Sequence, residues 1–475
     1  MKFKIAIILL SLLFLCKVEA QINSGSEGLK LEVNFPTQKN KKIYLGRYWE
    51  SATFAIDSLQ LSDEGKATFT SEEKLPEGQY FLHIKPTIQV DFLAGNTQDN
   101  IILSLNENDF SKNTVTGSND TKLLWEYLNY SEQKRLEKSK LENLLKDSLI
   151  SEKKKDNIRK KINELDIDTK KYIDTFIKNH DGSWVGIFIK GLTQIGLPYP
   201  TPKDDNENRI NRQYIKDHYF DNINLTDPRL WRTNYLTTYI DNYMQQWVEP
   251  KLDSLSAAAS HLVARAKENE FCFKQMLSKL TNESIKSLNM GYENIWARLY
   301  EDYIKDKNLT WIDSTQVREL ERMYEAIKYN RIGMTAHNLT LGTIDGDTIN
   351  TNELQAEYLL IYFYDPGCIH CKKELPRIHN ELYSKYKKSG LEVVAMNVAS
   401  DIEEWKDFIS KNNLTDWINC ADPDYKSKYW EYFDTTGVPV TFILNRDKKI
   451  IGKRIHEQNL EILLDYYIQH NDGTN

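Results

Sequence analysis

Two cysteines separated by two residues, placed at the end of an aromatic strand pattern, constrain this chain more than any other feature. Tyr358–Tyr364 is an unbroken run of aromatic and branched residues, which reads as a buried strand. Asp365-Pro366-Gly367 breaks the run, and a helical pattern begins at Cys368-Ile369-His370-Cys371 and continues through Lys372-Lys373-Glu374-Leu375-Pro376. Thiols at this spacing can close a small disulfide, and the start of a helix stabilises a thiolate. A strand, a tight turn and a dithiol at a helix N-terminus are the minimum apparatus for thiol–disulfide exchange.

The first twenty residues address the compartment. Lys2 and Lys4 precede the apolar stretch Ile5–Leu15, and Val18-Glu19-Ala20 supplies small residues at the cleavage positions. Residues 1–20 read as a secretory signal peptide, too short to be a comfortable membrane span. The mature chain would start at Gln21 and be exported to the periplasm or cell envelope. An uncleaved anchor is one alternative. Lipid attachment at Cys16 is another, weakened because Leu15 stands where such signals want a small residue.

The charges exclude one class of partner. The net charge is −7 with acidic and basic residues mixed throughout, which gives no footprint for nucleic acid. Of the five cysteines, Cys16 would leave with the signal peptide. Cys272, Cys368, Cys371 and Cys420 are far too few to build a disulfide scaffold.

Three segments follow the leader in pattern, giving a multidomain chain. Residues 21–118 carry short alternating runs, among them Leu29–Phe35, Ile43–Leu45 and Tyr80–Ile84, separated by turns such as Asp63-Glu64-Gly65. They predict a small antiparallel β-sandwich-like domain. Residues 119–330 are expected to be all-α, with Ile158, Ile162, Leu165, Phe176 and Ile177 marking an amphipathic stripe. The charged stretch Lys134–Lys161 reads as a solvated helix face, and the aromatics here as packing, with a peptide-binding groove as the alternative. Cys272, between Phe271 and Phe273, reads as an inert buried thiol. Residues 331–475 alternate strand and helix signals. Tyr358–Tyr364, Leu391–Val398, Thr441–Leu444 and Lys449–Lys453 are strands, and Glu374–Lys388, Asp401–Asn412 and Leu460–Ile468 are helices, as in an α/β domain with a mixed sheet.

This order resembles the thioredoxin fold, and more narrowly the exported thioredoxin-like reductases that serve cytochrome c maturation. The residues that carry the resemblance are Cys368-Ile369-His370-Cys371, Pro376 and Gly437-Val438-Pro439-Val440-Thr441-Phe442. It covers roughly the last 140 residues. The two upstream segments resemble the uncharacterised N-terminal domains that precede such domains in exported Bacteroidetes proteins, which implies architecture and not substrate.

Cys368, at the helix start, is expected to be the attacking thiol, and Cys371, one turn deeper, the resolving thiol. A purely stabilising disulfide is the bland alternative, although so short a loop removes little unfolded-state entropy. A Cys-x-His-Cys zinc site is another, although ligands crowded at one helix start rarely close a tetrahedron. The resemblance implies that Glu374, three residues after Cys371, moves protons for the dithiol, the alternative being an exposed helix glutamate. The family's other acid, an aspartate six residues before the first cysteine, is replaced here by Tyr362. The resemblance also implies that Pro439 is a cis proline facing the dithiol and that Val438 before it offers backbone hydrogen bonds to a bound peptide. A trans proline opening a strand is the alternative.

Two departures leave the redox direction open. Gly367 replaces the usual tryptophan, opening the surface around Cys368. His370 inside the motif can stabilise the Cys368 thiolate, as in strongly oxidising members of the fold, and is expected beside the bound substrate. Cys420, after Trp417-Ile418-Asn419 at an expected strand end, reads as a buried thiol, with a regulatory third cysteine as the alternative. The expectation is an exported oxidoreductase, acting more as reductant, that exchanges Cys368 and Cys371 with disulfides of other exported proteins. A membrane or periplasmic thiol protein would donate its electrons, and no cofactor or bound metal is expected. The rivals are a disulfide-forming oxidant or isomerase, a peptide- or glycan-binding protein, and a copper chaperone. The Pro-x-x-x-Thr-x-x-Cys setting of a peroxidase is missing.

Overall fold

The computed structural model describes residues 28–50, 52–95, 100–147 and 150–470. The expected signal peptide and Cys16 lie outside them. The chain divides into two compact units. One runs to Pro250 and takes in His261–Ser278, and the other comprises Lys251–Ser260 and the chain from Lys279 onward.

The first unit opens with eight strands: β1 (Lys30–Asn34), β2 (Lys42–Trp49), β3 (Ala52–Gln60), β4 (Lys66–Thr70), β5 (Gly78–Ile84), β6 (Ile88–Ala94), β7 (Asn100–Ser104) and β8 (Thr114–Thr116). They form two four-stranded sheets, ordered β4-β1-β7-β8 and β3-β2-β5-β6. Alternate residues turn inward, so Leu31 and Val33, Ile43 and Leu45, and Ile101 and Leu103 are all buried. The expected sandwich-like domain is present with one correction: β1 and β7 pair in parallel, Leu31 opposite Ile101. Between them the chain makes two hairpins in the other sheet, so β7 returns in the direction of β1. β3 adds a strand that the sequence pattern does not show, because this long edge strand has no buried face and hence no alternation to detect.

Helices follow. Ser118 caps the first, Asn119–Leu145, by accepting from Thr121 N. The second, Glu152–Asn179, buries Ile158, Leu165 and Phe176 from the predicted stripe. The two helices meet through Tyr130 and Tyr172, whose rings stack at 3.6 Å. Charges between Lys134 and Lys161 pair along a helix, as in Arg159 with Asp156 at 2.6 Å, and across to the next one, as in Lys138 with Asp166 at 2.7 Å. Cys272 is buried in this unit and burial pushes its thiol up to about 12.

In the second unit, helices Glu293–Tyr303 and Ser314–Ile327 precede a seven-stranded mixed sheet. Its strands are β9 (Thr340–Thr343), β10 (Thr348–Asn350), β11 (Tyr358–Tyr364), β12 (Leu391–Asn397), β13 (Ile418–Ala421), β14 (Val440–Asn445) and β15 (Ile450–Lys453). The order is β10-β9-β13-β12-β11-β14-β15. β11 runs parallel to β12 and antiparallel to β14, and every one of its residues is buried. The period of two explains why. Leu360, Tyr362 and Tyr364 face a core with Leu375, Ile378 and Trp405, while Leu359, Ile361 and Phe363 face another with Phe433 and Phe442. This is the expected thioredoxin-like α/β arrangement, with helices Ile369–Arg377, Ile402–Lys411 and Glu457–His470. β9 and β10 are additions to the expected strands, each only three or four residues long, whereas β13 lies where the sequence places Cys420 at a strand end. The helix expected over 374–388 is broken by a π-helical turn, Ile378–Tyr383, just after Pro376. Proline lacks the N–H that would bond one turn back, which loosens the ladder there.

The sheet is tied to the helix before it. Lys453, at the end of β15, lies largely buried with its ammonium 3.0 Å from Glu293 and 3.2 Å from Asn330 Oδ1. Asn330 in turn donates to the Tyr432 carbonyl at 3.0 Å.

Candidate active site

The site forms where the central strand ends. Beyond Tyr364, Asp365 folds the chain back by accepting from Gly367 N through its carboxylate at 2.6 Å and from Cys368 N through its carbonyl at 3.0 Å. Cys368 becomes the N-cap of helix Ile369–Arg377, its carbonyl accepting from Lys372 N at 3.1 Å. The helix then carries Cys371 inward and Glu374 one turn further on the same face.

The two thiols sit in unlike surroundings. Both are free, Cys368 partly exposed and Cys371 with 0% exposure. Burial pushes the Cys371 thiol up to about 12, with Cys368 adding to the rise and a backbone hydrogen bond at Asp365 opposing it. A thiol held that high cannot react at neutral pH unless something takes its proton.

Cys368 Sγ lies 3.5 Å from the carbonyl oxygen of Val438. Val438 and Pro439 are partly exposed beside it, and the bond between them is cis. Sequence-distant residues 368 and 438 are thus brought together. His370 is exposed on the first helical turn.

Glu374 is neither fully buried nor a free surface glutamate: its side chain is 21% exposed and both oxygens are held. The hydroxyl of Tyr362 donates to Oε2 at 3.1 Å, and His456 Nδ1 lies 3.3 Å from Oε1. Tyr362 has no exposed surface. Its phenol is held far above the usual range by burial first and then by Glu374, with Cys371 and Cys368 contributing. Tyr362 is legible in the sequence only as the residue replacing the family's aspartate. His456, in a turn after β15, gives no signal there. Cys420 lies buried on β13, and burial pushes it too up to about 12. Among the described residues, no group of three or more His, Cys, Asp or Glu side chains is placed to hold a metal ion.

A family model described as thioredoxin-like matches residues 356–450, spanning β11, the dithiol helix and β14. The thiol-disulfide oxidoreductase ResA of Bacillus thuringiensis (strain Al Hakam) is 30% identical over 139 residues, 76% of that protein and 29% of this chain. The chain belongs to the thioredoxin-like thiol–disulfide oxidoreductases. A ResA of Bacillus cereus is 29% identical over 136 residues and covers the same shares. A thioredoxin-like protein from Bacteroides caccae is 20% identical, with a TM-score of 0.41, across 58% of this chain and 98% of that one. The matched region takes in the C-terminal sheet's central strands and the dithiol helix.

Proposed function

We propose that this oxidoreductase is exported and reduces or rearranges disulfides in other exported proteins. Cys368 attacks a client disulfide, Cys371 resolves the mixed disulfide, and Glu374 takes the Cys371 proton. The observation that carries this reading is the asymmetry of the dithiol: a partly exposed Cys368 facing Val438, above a fully buried Cys371 with a thiol pushed up to about 12. An attacking thiol must be reachable, and a resolving thiol must stay protected until the mixed disulfide forms. Val438 and Pro439 would hold the client backbone, and His370 would lie at its edge.

Export is supported by the leader-like sequence of residues 1–20, and among the described residues no helix is long and apolar enough to cross a membrane. A membrane or periplasmic thiol protein would restore the dithiol after each turnover. The chemistry resides in the domain from about residue 331, and the segments 21–118 and 119–330 position it or bind a partner.

The test is dithiol-dependent reduction of insulin by the mature protein, followed by turbidity. Wild type is expected to accelerate precipitation and Cys368→Ser to abolish the acceleration. Equal rates for the two would overturn the proposal. A second reading, a disulfide-forming oxidant, is favoured by His370 within the motif, and the redox potential separates it from the first.

A further inference from the structure

Three elements converge on the Glu374 carboxylate. Tyr362, fully buried on β11, donates to Oε2 at 3.1 Å. His456, in the turn after β15, meets Oε1 at 3.3 Å through Nδ1 while its side chain is 83% exposed. That turn is pinned by Thr441 of β14, the residue opposite Tyr362 in the sheet. Thr441 Oγ1 accepts from Ile455 N at 2.8 Å and donates to the Ile455 carbonyl at 3.0 Å. The nearby charges Arg377 and Glu457 pair with each other at 2.7 Å. A buried hydroxyl therefore fixes the inner oxygen, and an imidazole open to water touches the other.

We propose that Glu374 is a way station in a proton path: it passes the Cys371 proton outward through His456 to water, while Tyr362 is the positioning residue that keeps the carboxylate aligned. This rests on the reading of Glu374 as the base for Cys371. Beginning from a Cys368–client mixed disulfide, Glu374 takes the proton of Cys371. The freed thiolate attacks Cys368 Sγ, forming the Cys368–Cys371 bond as the Cys368–client S–S bond breaks. The client sulfur leaves with that bond's electron pair and is protonated by water. The protein dithiol is oxidised and the client disulfide reduced. Before the thiolate attacks, Glu374 hands the proton on to His456 Nδ1 as the other ring nitrogen releases one to water, so the proton cannot return to Cys371 and the rate of resolution depends on His456. In the reverse direction the same groups return the proton to Cys371.

The test is single-turnover quenched flow on the full mature protein, separating attack by Cys368 from resolution by Cys371 at low buffer concentration. His456→Ala, at an exposed position, is expected to slow resolution ~3–10-fold, less than the ~100–10,000-fold typical of a direct general base because His456 only relays the proton onward from Glu374, and to leave attack unchanged. Added imidazole should restore the rate, because a small base can replace the missing ring. Tyr362→Phe should also slow resolution, and imidazole should not restore it. A His456→Ala rate equal to wild type, or a slow rate that imidazole leaves unmoved, overturns the path. Glu374→Gln separates the two ideas: slow Glu374→Gln beside fast His456→Ala removes only the path, whereas wild-type speed for Glu374→Gln removes the role of Glu374 beneath it.

Discussion

The Cys368 thiol lies 3.5 Å from the Val438 carbonyl, although seventy residues separate them. Their meeting is fixed by the register of two neighbouring strands. Phe363 of β11 pairs with Val440 of β14, and Tyr362 with Thr441, so the dithiol turn after β11 and the Gly437-Val438-Pro439 stretch before β14 open at the same sheet edge. A slip of one residue would turn the side chains of β14 to the opposite face and carry Val438 away from the thiol.

The unlike surroundings of the two thiols should be visible to an alkylating agent. In the reduced native protein at pH 8, iodoacetamide is expected to modify Cys368 first. Cys371, Cys420 and Cys272, each pushed up to about 12, hold roughly one thiolate in ten thousand at that pH and should stay unmodified until the protein unfolds. Raising the pH toward 12 increases their thiolate fraction and should bring them into reaction. Peptide mass spectrometry over a time course reads the order, and Cys371 reacting as fast as Cys368 would contradict the assignment of roles.

Glu374→Gln keeps the shape and the hydrogen bonds at Tyr362 while removing the exchangeable proton. It is expected to slow resolution of a Cys368 mixed disulfide by ~10–100-fold and to change the first attack much less. Trapping the mixed disulfide in quenched flow measures both steps, and unaltered resolution between about pH 6 and 8 would reduce Glu374 to a helix residue of no special role.

His370 offers a test of redox direction. It occupies the second position of the helix, where a proline fits without disturbing an intrahelical bond. If its imidazole favours the reduced dithiol, His370→Pro should lower the potential by ~30–60 mV, equivalent to about 1.4–2.8 kcal/mol for a two-electron couple. Equilibration against glutathione buffers gives the value. A potential near or below ~−270 mV that does not move on substitution would take His370 out of the argument.

A fourth expectation concerns support of the sheet. The buried indole N–H of Trp405 donates to the Tyr364 hydroxyl at 2.9 Å, joining helix Ile402–Lys411 to the strand that ends at the dithiol turn. Tyr364→Phe would strand that donor in the core and cost about 1–3 kcal/mol. A lowered melting temperature with insulin reduction intact at 25 °C is the expected result, and an unchanged melting temperature would show the bond to be dispensable.

The parts of this fold with strong periodicity are readable directly. Tyr358–Tyr364 announces itself because a strand covered on both faces must be apolar at every position, and the dithiol and Pro439 then follow it in the right order. What escapes is structure whose cause lies far along the chain. β9 is only four residues long and takes its strand character from pairing with β10 and the distant β13. β3 exposes nearly every side chain, so no pattern betrays it. The parallel pairing of β1 with β7 depends on where two intervening hairpins leave the chain. At the site, Cys368 and Cys371 are local and legible, whereas His456 reaches Glu374 across eighty-two residues from a turn that Thr441 hydrogen-bonds.

Lys453 carries a practical lesson for anyone wishing to isolate the redox domain. Its buried ammonium finds its counter-charge on Glu293, thirty-eight residues ahead of Arg331, where the alternation of strands and helices begins. A fragment trimmed to start at Arg331 would keep the cation and discard its carboxylate, the kind of loss that destabilises a buried pair by about 3–5 kcal/mol. An expression boundary placed ahead of Glu293 keeps the catalytic sheet with the partner it was folded against.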